Sequence, residues 1–168
     1  ILIGLVGSEM CIRDRYMTNV YPAINQNSTQ MAVRYTYGGK QYYQIYNLAK
    51  GRFINPRNPV KRICLSATSG DFQGFDLYGT SIYTIEGSPR KSFLLGYDRS
   101  RRYQPTKIRR YNYAVRSKKT ITVRGAKTLS FREPEGIKVL AGGQIYMMYV
   151  SNTLTNQSCN IYRVKRKI

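Results

Sequence analysis

The chain has no histidine and no tryptophan, only three cysteines and only eight acidic residues among 168. Without an imidazole it can build neither a Ser-His or Cys-His nucleophile nor a His-ligated zinc site. Cys11, Cys64 and Cys159 are too far apart in sequence for metal-ligand spacing, and a Cys64–Cys159 disulfide is left open by the sequence. No Gly-rich phosphate loop is present, since the Gly pairs at 38–39 and 142–143 sit between strand patterns rather than between a strand and a helix. No apolar run approaches the roughly 20 residues of a membrane span. The expectation is a protein with no metal, no cofactor and no catalytic residues.

What is abundant is positive charge and tyrosine. Lys and Arg total 28, giving a formal charge of +20, and there are 16 Tyr. Such an excess favours an anionic partner: an anionic wall polymer, nucleic acid or an anionic surface. Tyrosines and β-branched residues suit a pleated, half-buried surface, so the composition leans to β structure.

The first residues, ILIGLVGSEMCIRDRY (1–16), carry an apolar run too short for a span and lack the basic region of a signal peptide. GSEMCIRDRY resembles a translated sequencing-adapter tag, so residues 1–16 are set apart from the functional reading. That removes two basic and two acidic residues and leaves the charge at +20.

From residue 31 onward, short apolar–polar alternations are broken by turn residues. QMAVRYTY-GG-KQYYQIYNL reads as a hairpin turning at Gly38-Gly39. Residues 47–62 read as a loop and 62–67 as a short strand. GFDLY (74–78), IYTIEG (82–87) and SFLLGYD (92–98) read as a three-stranded meander, and KIRRYNYAV (107–115) with KKTITVRG (118–125) as a hairpin around Arg116-Ser117. EGIKVL (135–140), QIYMMYVS (144–151) and CNIYRVKR (159–166) complete the series. Nothing shows sustained helical periodicity, so the fold class is all-β.

One pattern occurs twice. QGFDLYGTSIY (73–83) returns as EGIKVLAGGQIY (135–146), with Gly74 matching Gly136, Leu77 matching Val139, and Ile82 matching Ile145 after one inserted turn residue. A repeat of about four strands points to a β-propeller, built by radial repetition of four-stranded sheets. The matched glycines fit crowded inner strands where a side chain would not fit. Propellers close with about four to eight blades, so residues 17–168 are expected to be the C-terminal fragment of one propeller domain, N-terminally truncated. Its repeat units run over about 73–134 and 135–168.

SGDFQGFDLYGTSIYTIEGSP, REPEGIKVLAGGQIYMMYVS and CNIYRV together resemble the C-terminal half of helveticin J-like class III bacteriocins over residues 31–168. The resemblance implies a propeller domain like that of phage-tail receptor-binding and teichoic-acid-associated proteins. It also implies a secreted protein acting on Gram-positive envelopes, and it carries no catalytic motif.

The densest basic stretch spans residues 99–124. It contains Arg99, Arg101, Arg102, Lys107, Arg109, Arg110, Arg116, Lys118 and Lys119, interleaved with Tyr111 and Tyr113. Guanidinium groups grip phosphates in pairs, and tyrosines pack on sugars or bases, so this stretch is the candidate site for an anionic polymer. Strand alternation puts Lys107, Arg109, Tyr111 and Tyr113 on one face, and Ile108 and Arg110 on the other. That mixture equally fits an outer hairpin projecting from a blade, whose charges guard an edge against aggregation. Asp76, Glu133 and Glu135 are candidate inner-mouth acids for a cation or sugar hydroxyls, or for structural ion pairs. Three functions are weighed: an envelope-binding propeller, a nucleic-acid-binding β-domain, and a carbohydrate-active enzyme using Asp76, Glu86, Glu133 or Glu135. The third is weakest, because only six acids remain outside residues 1–16.

Overall fold

The computed structural model describes residues 18–66, 71–88, 105–129, 132–152, 157–165 and 168. Within them the chain is all-β, and the only helical turn is a 3-10 turn at 141–143. In chain order the strands are β1 (Thr18–Ile24), β2 (Gln30–Tyr37), β3 (Lys40–Ala49), β4 (Arg52–Phe53), β5 (Lys61–Leu65) and β6 (Phe72–Tyr78). They continue as β7 (Ser81–Glu86), β8 (Thr106–Asn112), β9 (Ser117–Val123), β10 (Glu133–Leu140), β11 (Gln144–Asn152) and β12 (Gln157–Arg163). No helix among the described residues is long and apolar enough to cross a membrane.

Every pairing is antiparallel, and the strands form three sheets. The first runs β1-β2-β3-β4 with β5 also on β3, the second β6-β7-β8-β9, and the third β10-β11-β12. The architecture is that of a partial, propeller-like assembly in which the second sheet lies between the other two. Alternation along its strands explains this. Phe75, Leu77 and Ile82 face the first sheet and pack with Ala32, Tyr43, Ile45 and Ile63. Tyr83, Ile85 and Ile108 face the third sheet and pack with Val139, Ile145, Met147 and Tyr149. A strand apolar on both faces must be covered on both sides, and β7 is buried along all six residues.

The first hairpin turns where its glycines place it: Gly38 and Gly39 have φ of 54° and 73°, the positive values a two-residue hairpin turn requires. The repeat is also real in three dimensions. Leu77 pairs with Ile82 and Val139 with Ile145, so the extra residue falls in the second turn. Both opening strands break register at the same place, between Phe72 and Gly74 in β6 and between Pro134 and Gly136 in β10. These bulges lie next to the matched glycines, and β6 and β10 lie side by side there: a Cβ on Gly74 would touch the Gly136 Cα at 3.4 Å. A methyl group would just fit. Gly136 is not crowded in return, since a Cβ there meets only the flexible Met148 side chain at 3.8 Å. The expected exclusion of any side chain is therefore corrected at both glycines, by the slack of that contact and by Met148.

Three further expectations change. β1, with Pro22 inside it, was not legible as a strand, because five of its seven residues are exposed and show no alternation. The strand beside β7 is β8 along its whole length, where a strand at 92–98 was expected; residues 92–98 lie outside the described residues. The β8–β9 loop is Tyr113–Arg116 rather than Arg116-Ser117, since Asn112 pairs with Ser117. The Asn112 side chain fixes that loop by accepting from the N–H groups of Ala114 at 3.0 Å and Val115 at 3.3 Å.

Candidate functional site

The basic stretch divides between the blade interior and its edge. Arg99, Arg101 and Arg102 lie outside the described residues. β8 and β9 are the third and fourth strands of the second sheet, not a hairpin projecting from it, because Ile108 is fully buried in the core facing the third sheet. Of these two, β9 is the edge strand among the described residues.

On β8, the face toward the first sheet carries Lys107, Arg109 and Tyr111. Arg109 reaches the buried Glu86 on β7 at 2.9 Å, a pair whose arginine keeps about a third of its side chain exposed. Burial pushes the Glu86 carboxyl above its ordinary range, while the charge of Arg109 and a hydrogen bond from Thr84 pull it back in part. Lys107 stands directly across the ladder from Glu86 and adds to that pull. Tyr111 is half-buried, with the Lys118 ammonium 6.0 Å from its ring centre. That distance marks the outer limit of a cation–π contact.

The opposite face of β8 carries Arg110. Its Nε donates to the Ser81 hydroxyl at 3.1 Å, and another of its nitrogens donates to the main-chain oxygen of Ile168 at 3.2 Å. Tyr113, in the loop, donates its hydroxyl to the Gly79 carbonyl at 3.3 Å, and burial raises its pKa. Arg116, Lys118 and Lys119 are exposed, and no described carboxylate lies within ion-pair distance of them. The stretch thus holds two populations: Arg109 and Arg110 are tied into the fold, while the β9 cations stand at the surface.

The acids are placed differently from one another. Asp76 is buried, and both carboxylate oxygens are used across the β6–β10 contact: one accepts from the Lys138 ammonium at 2.8 Å, the other from the Val139 N–H at 2.7 Å. Asp76 and Lys138 occupy equivalent positions of the repeat, so it is locked to itself by an ion pair between its own copies. Lys138 also donates to the Ile24 carbonyl at 3.2 Å, which ties in β1. Glu133 accepts from the Gln73 side chain at 3.3 Å. Glu135 is exposed, and its pKa is raised by partial burial and by the neighbouring Glu133 charge. Asp76 and Glu86, two of the acids a hydrolase would use, are therefore held in internal ion pairs. Among the described residues no three His, Cys, Asp or Glu side chains come together as a metal site. Cys64 and Cys159 are both exposed free thiols on different sheets, so the disulfide left open by the sequence does not form between them.

Two polar residues on the first sheet carry no sequence signal. Arg34 is 3% exposed, stacks 3.6 Å from the Phe72 ring centre and donates to the Asn19 carbonyl, but its Nε has no partner. Directly across the β2–β3 ladder stands Tyr43, fully buried, whose hydroxyl also has none. Both sit at positions that alternation alone assigns to the strand interior, yet nothing in the local sequence marks their hydrogen bonds as unmade.

No protein-family model matches the chain, and no curated protein matches it at a significant level.

Proposed function

We propose that the protein is a non-enzymatic, bacteriocin-like binder of Gram-positive envelopes, holding an anionic wall polymer or surface glycan along the β8–β9 edge of its second sheet. One observation carries this reading. Arg116 at the end of the β8–β9 loop, with Lys118 and Lys119 on β9, forms a run of surface cations with no described carboxylate in reach, beside Tyr111. Exposed cations without counter-charges lose nothing on meeting a polyanion and release its condensed counterions. The resemblance to helveticin J-like bacteriocins supplies the envelope as the source of that polyanion, and secretion as its route.

The test is retention of the full chain on Gram-positive cell walls with and without their teichoic acids, over a salt series and with duplex DNA as competitor. Expected is binding that needs the anionic polymer, weakens with salt and survives competing DNA. Equal binding to stripped walls sinks the reading. Complete displacement by DNA turns it toward nucleic acid.

A further inference from the structure

Along their outer halves the first and second sheets do not close completely. They leave a cavity of about 120 Å³, lined among others by Gln41, Tyr43, Thr84, Arg109, Tyr111 and Lys118. That is space for a phosphate group with part of its carbon chain, and far below the roughly 300 Å³ at which drug-sized sites begin.

The chemistry of the walls is uneven. Tyr43 lines the cavity from its buried side, and its hydroxyl makes no hydrogen bond of normal geometry in a fold where buried polar groups almost always do. Burial pushes that phenol up to about 12, with the charge of the Arg34 guanidinium and its approach to the hydroxyl opposing in part, so it stays a donor at any physiological pH. Beside it, on the same face of the ladder, is the Arg34 charge, which has no described carboxylate within ion-pair distance. At the exposed end is Lys118. Between them, Arg109 is fixed in place by Glu86, and Gln41 and Thr84 offer an amide and a hydroxyl. The Tyr111 ring supplies an apolar wall. Donors therefore stand at both ends of a small cavity, in a region whose formal charge is positive even after the Arg109–Glu86 pair is discounted.

We propose that this cavity is a subsite for one phosphodiester unit of a polyol-phosphate chain. The Tyr43 hydroxyl donates to a phosphate oxygen at the floor, and the Lys118 ammonium meets the phosphate charge at the rim. Gln41 and Thr84 meet polyol hydroxyls, and the carbon chain lies against Tyr111. The proposal rests on the envelope-binding reading for the source of the ligand, and it names which unit of the polymer is gripped.

The experiment is titration of the full chain with glycerol phosphate, followed by nuclear magnetic resonance, for the wild type, Tyr43→Phe, Lys118→Gln and Lys50→Gln. Tyr43→Phe removes a hydroxyl that makes no bond in the fold, so its melting temperature should equal or exceed that of the wild type. Tyr43→Phe and Lys118→Gln should each weaken binding about tenfold, as expected for one charge-assisted hydrogen bond. Lys50→Gln, at an exposed lysine in the β3–β4 turn that does not line the cavity, should change it less than about twofold. Lys118 is exposed, so that variant separates loss of binding from loss of folding. Unchanged binding in both Tyr43→Phe and Lys118→Gln, or no binding by the wild type, overturns the subsite. If walls are retained while glycerol phosphate is not bound, the subsite fails and the envelope reading survives. If glycerol phosphate binds through Tyr43 but walls are not retained, the reverse holds.

Discussion

The Asp76–Lys138 pair offers an unequal test of how the repeat is joined. The Asp76 side chain is 3% exposed and that of Lys138 is 47% exposed, at 2.8 Å. Removing either partner breaks the same contact but leaves different remainders. In Asp76→Asn the lysine turns its ammonium to the water it already half sees, and the new amide oxygen can still accept from the Val139 N–H. The loss is about that of one net hydrogen bond, about 1 kcal/mol. In Lys138→Met a carboxylate is stranded in the blade contact with a single N–H for company. Stranding a buried charge costs about 3–5 kcal/mol, and the retained Val139 bond argues for the lower end, about 3 kcal/mol. For a chain of this size each kcal/mol moves the melting temperature by about 2–4 °C. Lys138→Met should therefore fall by about 6–12 °C and Asp76→Asn by about 2–4 °C, followed by circular dichroism at neutral pH. The double variant should lose less than the sum, since the methionine no longer strands a charge. If Asp76→Asn costs as much as Lys138→Met, the carboxylate is not confined as described and the inter-blade pair is a surface contact.

The matched glycines should respond unequally to size. Gly74→Val pushes a branched side chain toward the Gly136 Cα and the Glu135 carbonyl, 3.4 and 3.6 Å from the site of a Cβ, and should cost about 2–3 kcal/mol; Gly136→Ala should cost less than about 1 kcal/mol. Comparable losses in urea unfolding would mean that the two strands approach symmetrically. Glu86 sets a pH dependence. Its folded-state pKa lies above its unfolded value, which is near about 4.3, so the native state holds the proton more tightly. The stability this contributes is fully present below the unfolded pKa and is lost as pH rises through the folded pKa. Stability relative to Glu86→Gln should therefore decline as pH is raised from 4 toward 7 in urea titrations; a rise would show that Arg109 outweighs burial.

Most of the strand order was readable because it rests on local signals. Gly38-Gly39 dictates its own turn, and Leu77 and Ile82 match Val139 and Ile145 at a near-constant spacing. The β8–β9 hairpin was readable but not its turn, expected at Arg116-Ser117: the loop is Tyr113–Arg116, because the Asn112 side chain caps Ala114 and Val115 and Asn112 pairs with Ser117. β1 was not readable: TNVYPAI has no alternation because it is an exposed strand, positioned by its ladder to β2 and by the ring of Tyr21 5.2 Å from Phe72. What makes it a strand lies on other elements.

The functional residues divide along the same line. A basic stretch announces itself by composition, but composition does not say which cations are already used. Arg109 and Arg110 look like Lys118 and Lys119 in sequence, yet the first two face Glu86 and Ser81 because β7 lies beside β8, whereas among the described residues β9 has no strand on its outer side. Of the acids, Asp76 and Glu86 satisfy Lys138 and Arg109 inside the fold, so they do not neutralise the β9 surface. The exposed charge is thus set less by the ratio of Lys and Arg to Asp and Glu than by which pairs the sheet order brings together. Tyr43 is the extreme case. Nothing beside it in the chain distinguishes it from Tyr42 or Tyr46, and it lines a cavity only because the second sheet, beginning some thirty residues later, packs against the first without filling the space at their outer edge.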